Sequence, residues 1–315
     1  MKIAFIGTNE FGKNILEGLC RAGFKPGLVI TAPDKPVGRK KEITPPKVKS
    51  FAKEAGIDLE QPEKIKEAEK IISVFSPDII VVADYGQIIP KEILDLPQKG
   101  CLNVHPSLLP KYRGASPIQY SLLNGDQETG ATIILMDEKT DHGPILSSRK
   151  MALPEAGITQ KDLLEKLSSL ASDLISETVL DWIEGRIRPI PQNEEEATFT
   201  KILSKEDGRI NWKKPASEIE RMVRAFNPWP GAFSQGEVKG KMKKIKILKS
   251  FVLAQTEAGP FGEPGKTYLA PNEKIAVQTG KDFLIIEKMQ VEGKNPVETK
   301  DFLKGNIDFI GKILK

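Results

Sequence analysis

The chain has 315 residues, of which 29% are charged and 39% are hydrophobic, and its formal net charge is +4. This length predicts two domains, and no apolar run approaches the roughly 18 residues that a membrane-spanning helix requires. The two cysteines have neither metal-ligand nor disulfide spacing, which argues against a disulfide-stabilised secreted protein and predicts a cytoplasmic location.

In the first half of the chain, short apolar segments alternate with segments of helical periodicity. The apolar segments predict strands at Ile3–Ile6, Leu28–Thr31, Ile79–Ala83, Cys101–His105, Ala131–Asp137 and Pro144–Ala152. Helices are expected at Phe11–Cys20, Val48–Ala55, Lys64–Phe75 and Pro117–Asn124, with a Pro- and Lys-rich loop at residues 32–46. Because nearly all strand positions are apolar, we expect a mostly parallel sheet that is covered on both faces.

The rest of the chain changes character twice. A long amphipathic helix is predicted at residues 159–185, and the stretch that follows it is rich in Pro, Gln, Asn and Glu. A helix at Ala216–Ala225 then precedes short β segments with Gly and Pro turns, a pattern typical of a small barrel. The expected fold is therefore α/β: a Rossmann-like, mostly parallel sheet domain at 1–188, a linker at 189–205, and a small OB-like β-barrel domain at 206–315.

Positive charge is concentrated in two segments. Residues 206–315 hold 20 Lys and Arg against 14 Asp and Glu, whereas residues 1–205 hold 27 against 29. The loop at 32–46 contains Lys35, Arg39, Lys40 and Lys41, and a predicted strand of the second domain contains Lys239, Lys241, Lys243, Lys244, Lys246 and Lys249. Alternation along that strand predicts the first three of these six lysines on one face. Both segments favour contact with a polyanion such as RNA, and a solvated surface or a lysine-protected edge strand is the alternative.

Polar residues follow several of the predicted strands. In a parallel sheet the ligand crevice lies beyond the carboxyl ends of the strands, and Gly7, Asp84, His105 and residues 137–141 occupy such positions. Asn103 and His105 are two residues apart on one strand, so their side chains point to the same side. With the distant carboxylate of Asp141 they could bind a carbonyl oxygen and move a proton. This set predicts acyl transfer without a metal or a covalent nucleophile.

Two other types of site are alternatives for these residues. His105, His142 and Asp141 could ligate a metal, but they lack the usual short ligand spacing, and a buried imidazole in the core is a further alternative for His105. The turn Gly7–Gly12 nearly matches G-x-G-x-x-G, but Asn9 replaces the middle glycine that must approach a pyrophosphate. Neither a metal nor a nucleotide cofactor is therefore expected.

Longer stretches of the sequence resemble a known family. The relevant segments are Asn103-Val104-His105-Pro106-Ser107-Leu108-Leu109-Pro110, Tyr112–Gln119, Thr129–Thr132, and Asp141 with Gly143. In order and spacing these segments resemble the 10-formyltetrahydrofolate-dependent formyltransferases. Further segments resemble the members that act on methionyl-tRNA: Ala197–Ile202, Asp207–Trp212, Arg224–Ala232 and Asp301–Gly305.

The resemblance implies a reaction and a role for each residue. The formyl group of 10-formyltetrahydrofolate is expected to move to the α-amine of methionyl-initiator tRNA, and a sugar nucleotide or glycinamide ribonucleotide is the alternative acceptor. Asn103 and His105 are expected to stabilise the oxyanion, while Asp141 favours the protonated imidazole and accepts a proton.

The resemblance also implies which residues contact the two substrates. The expected folate contacts are Ser107, Leu108, Leu109, Pro110, Tyr85, Gly86 and Ile89. The expected tRNA contacts are Lys35, Arg39, Lys40, Lys41, Lys243, Lys244 and Lys246. The protein is expected to be a monomer.

Overall fold

The computed structural model describes residues 1–38, 41–154, 156–254 and 262–315. Within these ranges the chain forms two compact units. The first comprises Met1–Pro117, Glu128–Leu153 and Leu163–Lys201, and the second comprises Ile118–Gln127, Pro154–Asp162 and Ile202–Lys315. The predicted tRNA contacts Arg39 and Lys40 lie outside the described residues.

The first unit is built on a seven-stranded sheet. Its strands are β1 (Ile3–Gly7), β2 (Leu28–Ile30), β5 (Asp58–Glu60), β6 (Ile79–Ala83), β7 (Cys101–His105), β9 (Glu128–Leu135) and β10 (Ile145–Ala152). Their order is β10-β9-β7-β6-β1-β2-β5. The five strands from β7 to β5 are parallel, whereas β9 is antiparallel to both of its neighbours, β7 and β10. Every residue of β1 and β6 is buried, because helices and loops cover both faces of a parallel sheet.

Within the described residues, six α-helices precede residue 184, and all but the one at Lys91–Leu94 lie where helices were predicted, although the helix predicted at Lys64–Phe75 begins with a 3-10 turn at Ile65–Ala68. The six are α1 (Glu10–Arg21), α2 (Lys47–Glu54), α3 (Glu69–Phe75), α4 (Lys91–Leu94), α5 (Pro117–Asn124) and α6 (Gln160–Ile183). In α1 the side chains of Phe11, Ile15 and Leu19 are buried, which is the spacing of a single helical face. The long helix predicted at 159–185 is α6, and its Leu163 and Leu167 are fully buried.

The predicted irregular loop at 32–46 contains two short strands. They are β3 (Lys35–Val37) and β4 (Glu42–Thr44), and they pair in antiparallel fashion. The prediction of a wholly irregular loop is therefore wrong. All three residues of β4 are exposed, so this strand lacks the alternation of buried and exposed residues by which a sequence reveals a strand.

The second unit contains a curled antiparallel sheet. Its elements are α7 (Ala216–Ala225), β12 (Phe233–Val238), β13 (Lys241–Leu253), β14 (Thr267–Ala270), β15 (Lys274–Gln278), β16 (Phe283–Val291), β17 (Val297–Glu298) and α8 (Thr299–Leu303). The strand order is β12-β13-β16-β15-β14, and β17 pairs with β16.

Backbone hydrogen bonds of residues 311–315 reach both outer strands of this sheet. Lys315 exchanges two bonds with Gln235 of β12, and Thr267 of β14 donates its N–H to the Lys312 carbonyl. This segment thereby joins the two edges and gives the sheet the curvature of a barrel. The prediction of a Rossmann-like parallel sheet followed by a small OB-like barrel is confirmed. Among the described residues, no helix has both the length and the apolar character that a membrane span requires.

Candidate active site

The structure brings the three predicted catalytic residues together. Asn103 donates a hydrogen bond from Nδ2 to Asp141 Oδ1 at 3.0 Å, and His105 Nδ1 lies 3.6 Å from Asp141 Oδ2. The backbone N–H of Gly114 donates to the same Oδ2 at 2.8 Å. Each oxygen of the Asp141 carboxylate is thus held by one donor, which fixes its position beside the carboxamide and the imidazole.

Asp141 reaches this site by a route that strand polarity does not predict. We expected residues 137–141 at the same sheet edge as His105, but β9 is antiparallel to β7, and Leu135 at its end pairs with Leu102 near the start of β7. The prediction from strand ends is therefore wrong. Residues 136–144 instead return towards Asn103, and Asp141 has the left-handed φ of +49° that this return requires.

The hydrogen bonding of His105 defines its tautomer. The imidazole is buried, and its Nε2 lies 2.9 Å from the carbonyl oxygen of Tyr112. A carbonyl can only accept, so Nε2 carries a proton in either charge state. Nδ1 therefore faces Asp141 as an acceptor in the neutral ring and as a donor in the protonated ring.

A buried threonine holds the predicted folate-contacting loop Ser107–Pro110 by two hydrogen bonds. Thr132 on β9 donates from Oγ1 to the Ser107 carbonyl at 2.7 Å and accepts from the Leu109 N–H at 3.1 Å. Ser107 itself donates from Oγ to the Lys111 carbonyl at 2.6 Å. These bonds hold the loop in one conformation next to His105.

The second segment predicted to contact folate, Tyr85–Ile89, is partly buried in the core and partly exposed to solvent. Tyr85 and Ile89 belong to a buried apolar cluster, and burial raises the pKa of the Tyr85 hydroxyl to about 12. Gly86 and Ile88 are exposed, and nothing lies within 4 Å of a Cβ built on Gly86. Only the Gly86–Ile88 part of the segment therefore offers a surface to a ligand.

Asp84, directly after β6, lies in a recess at the carboxyl edge of the sheet. Its carboxyl accepts a hydrogen bond from Asn9 Nδ2 at 3.1 Å. Desolvation by the surrounding protein raises its pKa to about 6, although the bonds from Asn9 and the Gly12 backbone lower it. The residue is still exposed to solvent, so the carboxyl lies in an open recess and not in the core.

The segment predicted as a linker forms part of the site. Phe199 and Thr200 form a short strand, β11, that pairs with β8 (Arg113–Gly114). Thr198 accepts a hydrogen bond at Oγ1 from the Tyr112 N–H at 2.8 Å. A Cβ on Gly114 would lie 2.5 Å from the Thr200 carbonyl, so only glycine allows this close pairing. Sequence reasoning missed these contacts because the segment has neither periodicity nor apolar character.

His142 interacts with carboxylates outside the predicted set. Its Nδ1 is 2.5 Å from Asp137 Oδ2, and its Nε2 is 3.5 Å from Glu194 Oε1. The alternative of a metal site from His105, His142 and Asp141 finds no support in this arrangement. Within the part of the chain that the structure describes, no group of three or more His, Cys, Asp and Glu side chains has the geometry to hold a metal ion.

The lysines of β13 divide between the faces of a central strand. Phe233 pairs directly with Lys246, and Lys244 Nζ lies 3.2 Å from the centre of the Phe233 ring, so these two lysines share a face. Lys243 is two residues from the buried Ile245, so these two side chains lie on the opposite face of β13. Partial burial lowers the pKa of Lys244, and the positive charge of Lys246 lowers it further.

Two expectations about these lysines are corrected by the sheet. The edge-strand explanation is wrong, because β13 lies between β12 and β16. Lys239 does not share a strand face with Lys241, because Lys239 and Gly240 form the turn between β12 and β13, with φ of +50° and +72°. Such positive angles are those of a two-residue hairpin turn. For the lysines of β13, an ordinary solvated surface is now the alternative to an anionic ligand.

The second unit also contains a cavity of about 440 Å³. Its lining combines basic, acidic and apolar side chains, among them Arg209, Lys214, Glu218, Ile219, Arg221 and Phe226. None of the three predicted catalytic residues lines it. The cavity is therefore separate from the predicted catalytic residues, and its charges are of both signs.

Comparisons with known proteins agree with the geometry. Residues 1–179 match the formyl transferase family, and residues 202–306 match the formyl transferase C-terminal domain. Methionyl-tRNA formyltransferase of Agathobacter rectalis is 42% identical over 97% of this chain and 96% of that protein. The enzyme of the same name from Bacillus velezensis is 41% identical over 96% of this chain and 94% of that protein.

Solved structures share the fold at low identity. The N-formyltransferase from Helicobacter canadensis, in complex with folinic acid and dTDP-3-aminofucose, has a TM-score of 0.66 at 21% identity, covering 91% of this chain and 98% of that one. HypX from Aquifex aeolicus, in complex with tetrahydrofolic acid, has a TM-score of 0.63 at 17% identity, covering 96% of this chain and 47% of that one. From the matches along nearly its whole length, this chain belongs to the formyl transferase family and, within it, to the methionyl-tRNA formyltransferases.

Proposed function

We propose that the protein transfers the formyl group of 10-formyltetrahydrofolate to the α-amine of methionyl-initiator tRNA and so supplies formylmethionyl-tRNA for translation initiation. The observation that carries this proposal is the joined set of Asn103, His105 and Asp141, with its 3.0 Å and 3.6 Å contacts. This set can polarise a formyl oxygen and receive a proton from an attacking amine, which is what acyl transfer to nitrogen requires.

The geometry supports a separate role for each of the three residues during the transfer. As the amine attacks the formyl carbon, negative charge develops on the formyl oxygen. Asn103 has a second Nδ2 hydrogen beyond the one given to Asp141 and can donate it to that oxygen. His105, whose Nδ1 faces Asp141, would add the positive charge of its protonated ring beside the same oxygen. The Asp141 carboxylate accepts the amine proton, directly or through water. The bond between the formyl carbon and N10 of the folate then breaks, and the proton passes to N10 as tetrahydrofolate leaves.

The folate co-substrate fits the loops beside these residues. We propose that Ser107, Leu108, Leu109 and Pro110 contact it from one side, and that Gly86 contacts it from the other, with Tyr85 and Ile89 supporting the loop from the core. Two observations support this fit: the hydrogen bonds that immobilise the first loop and the open space above Gly86 beside the exposed Ile88. An exposed apolar side chain next to a glycine provides a flat surface of the kind that a pterin ring can pack against.

Binding of tRNA is proposed for two basic surfaces. One comprises Lys35 and Lys41 of the 32–46 segment together with Arg39 and Lys40, and the other comprises Lys243, Lys244 and Lys246. In support, Lys35 and Lys41 are exposed, and Lys244 and Lys246 lie on one face of β13, where their positive charges would attract phosphate groups. We propose residues 1–188 as the catalytic domain, 189–205 as the linker and 206–315 as the tRNA-binding domain. The protein is proposed to act as a monomer in the cytoplasm, and its two free cysteines suit a reducing compartment.

One assay tests the proposed acceptor. The protein is incubated with 10-formyltetrahydrofolate and, in separate reactions, methionyl-initiator tRNA, an amino-sugar nucleotide and glycinamide ribonucleotide, and each product is identified by mass. Formylation of methionyl-tRNA alone is the expected result. Formylation of one of the small acceptors in its place would overturn the proposal.

A further inference from the structure

The segment between the proposed domains makes direct contact with the residue that contains the catalytic carboxylate. Gln192 donates two hydrogen bonds from Nε2, one to the Asp141 carbonyl and one to the Gly143 carbonyl, each at 2.8 Å. These bonds hold the backbone on both sides of His142. The Asp141 side chain is held separately, by Asn103 and by the Gly114 N–H.

Arg113 fixes the orientation of the Gln192 side chain. The Arg113 guanidinium is almost wholly buried, and it donates to Gln192 Oε1 from Nε at 3.1 Å and from Nη2 at 2.8 Å. It also forms a two-point pair with the Glu194 carboxylate, at 2.9 and 2.7 Å. Since Oε1 faces a cation, Nε2 must face the two carbonyls, and both of its hydrogens are used.

The backbone at Asp141 makes such a support necessary. Asp141 has a φ of +49°, a region that non-glycine residues adopt only when surrounding contacts hold them there. Without the Gln192 bonds, the Asp141 carbonyl would lose the partner that keeps this conformation. The carboxylate would then leave its place between Asn103 and His105.

We propose that Gln192 is a positioning residue for the formyl transfer: held by Arg113, it keeps the residue 141–143 backbone where the Asp141 carboxylate meets Asn103 and His105. This inference rests on the proposed function, since it assigns Asp141 a role in that reaction. Gln192 bonds to the backbone of the Asp141 segment and not to the three catalytic side chains. Its effect on the rate passes through Asp141.

Two substitutions separate positioning from a general contribution to folding. Gln192→Glu keeps an oxygen for Arg113 but places a second oxygen against the two carbonyls, so it removes both donated bonds and retains the Arg113 contact. Gln192→Leu removes all polar contacts at similar volume. Asn193→Ala is the matched control, because among the described residues the Asn193 side chain bonds to Glu195 and Glu196 within its own turn.

The experiment is a double-mutant cycle on the full-length protein with Asp141→Asn. Formyl transfer to methionyl-initiator tRNA is measured for each single and double variant, as kcat and as KM for both substrates, and urea unfolding verifies that each is folded. We expect Gln192→Glu to lower kcat by about 100-fold, the effect of displacing a reacting group by 1 Å, with KM unchanged. In the Asp141→Asn background the same substitution should have almost no further effect.

Three results would overturn the inference. They are an equal loss from Gln192→Glu in both backgrounds, an unchanged kcat in folded Gln192→Glu and Gln192→Leu proteins, or a loss from Asn193→Ala as large as theirs. Failure of the proposed function would look different, because the unmodified protein itself would not formylate methionyl-tRNA. The same cycle on the acceptor that it does formylate would then still decide the role of Gln192.

Discussion

Replacing Gly143 by alanine should slow the enzyme by about 100-fold without altering a catalytic side chain. A Cβ at this position would lie 1.9 Å from the Leu135 carbonyl oxygen and 3.3 Å from the Asp137 nitrogen. Both neighbours are backbone atoms, so no side-chain rotation can relieve the contact. The segment that contains Asp141 must therefore move away from the end of β9.

The required movement follows from the same distance. Real Cβ atoms essentially never come closer than 3.0 Å to a neighbour, so the two segments must separate by about 1.1 Å. Displacement of a reacting group by about 1 Å can lower the rate by about 100-fold. Forcing an extra methyl group into a packed site costs about 1–3 kcal/mol of stability. We therefore expect a Gly143→Ala protein that is folded but slow.

The measurement compares kcat for formyl transfer to methionyl-initiator tRNA with the free energy of unfolding in urea. Gly305→Ala is the matched control, because nothing lies within 4 Å of a Cβ at Gly305 and its φ is not positive. A Gly143→Ala protein with the kcat of the unmodified enzyme would refute the reasoning, since it would mean that the Asp141 segment tolerates this shift. A loss explained entirely by unfolded protein would refute it as well.

Three further predictions concern the Asn103 carboxamide, the basic surfaces proposed to bind tRNA, and the Asp84 carboxyl group. Asn103→Ala should leave folate binding intact and lower kcat by about 100–1000-fold, because it removes one oxyanion donor; full activity would remove that role. Affinity for initiator tRNA should fall steeply between roughly 50 and 200 mM salt, measured by filter binding, and a flat dependence would exclude the basic surfaces as phosphate contacts. The pKa of Asp84 is raised to about 6 in the folded protein, so the unfolded chain releases this proton first and stability falls as the pH rises from about 4 to 6. Asp84→Asn should therefore raise the free energy of unfolding above pH 6 and leave it unchanged below pH 4. An equal effect at both pH values would contradict the raised pKa of Asp84.

The local features of this protein were predictable from its sequence. Asn103 and His105 point to the same side because side chains alternate along a strand, and the apolar residues of Cys101–His105 marked that strand. The parallel sheet and the long helix α6 were predictable for the same reason, since their periodicity is contained within each segment. The role of Asp141 and the identity of the substrates came from family resemblance and not from periodicity.

Only the tertiary structure revealed how distant segments complete the site. Asp141 follows an antiparallel strand and returns to Asn103, and Gln192 reaches the Asp141 backbone from a polar segment that resembles a linker. The lysines of β13 could have protected an edge strand, and only the strand order excluded this explanation by placing β13 in the middle of a sheet. Periodicity within a segment reports which side of that segment is buried, because burial alternates with the geometry of the local backbone. Hydrogen bonds between segments 38 and 51 residues apart depend on the path of the whole chain, and no local pattern encodes that path.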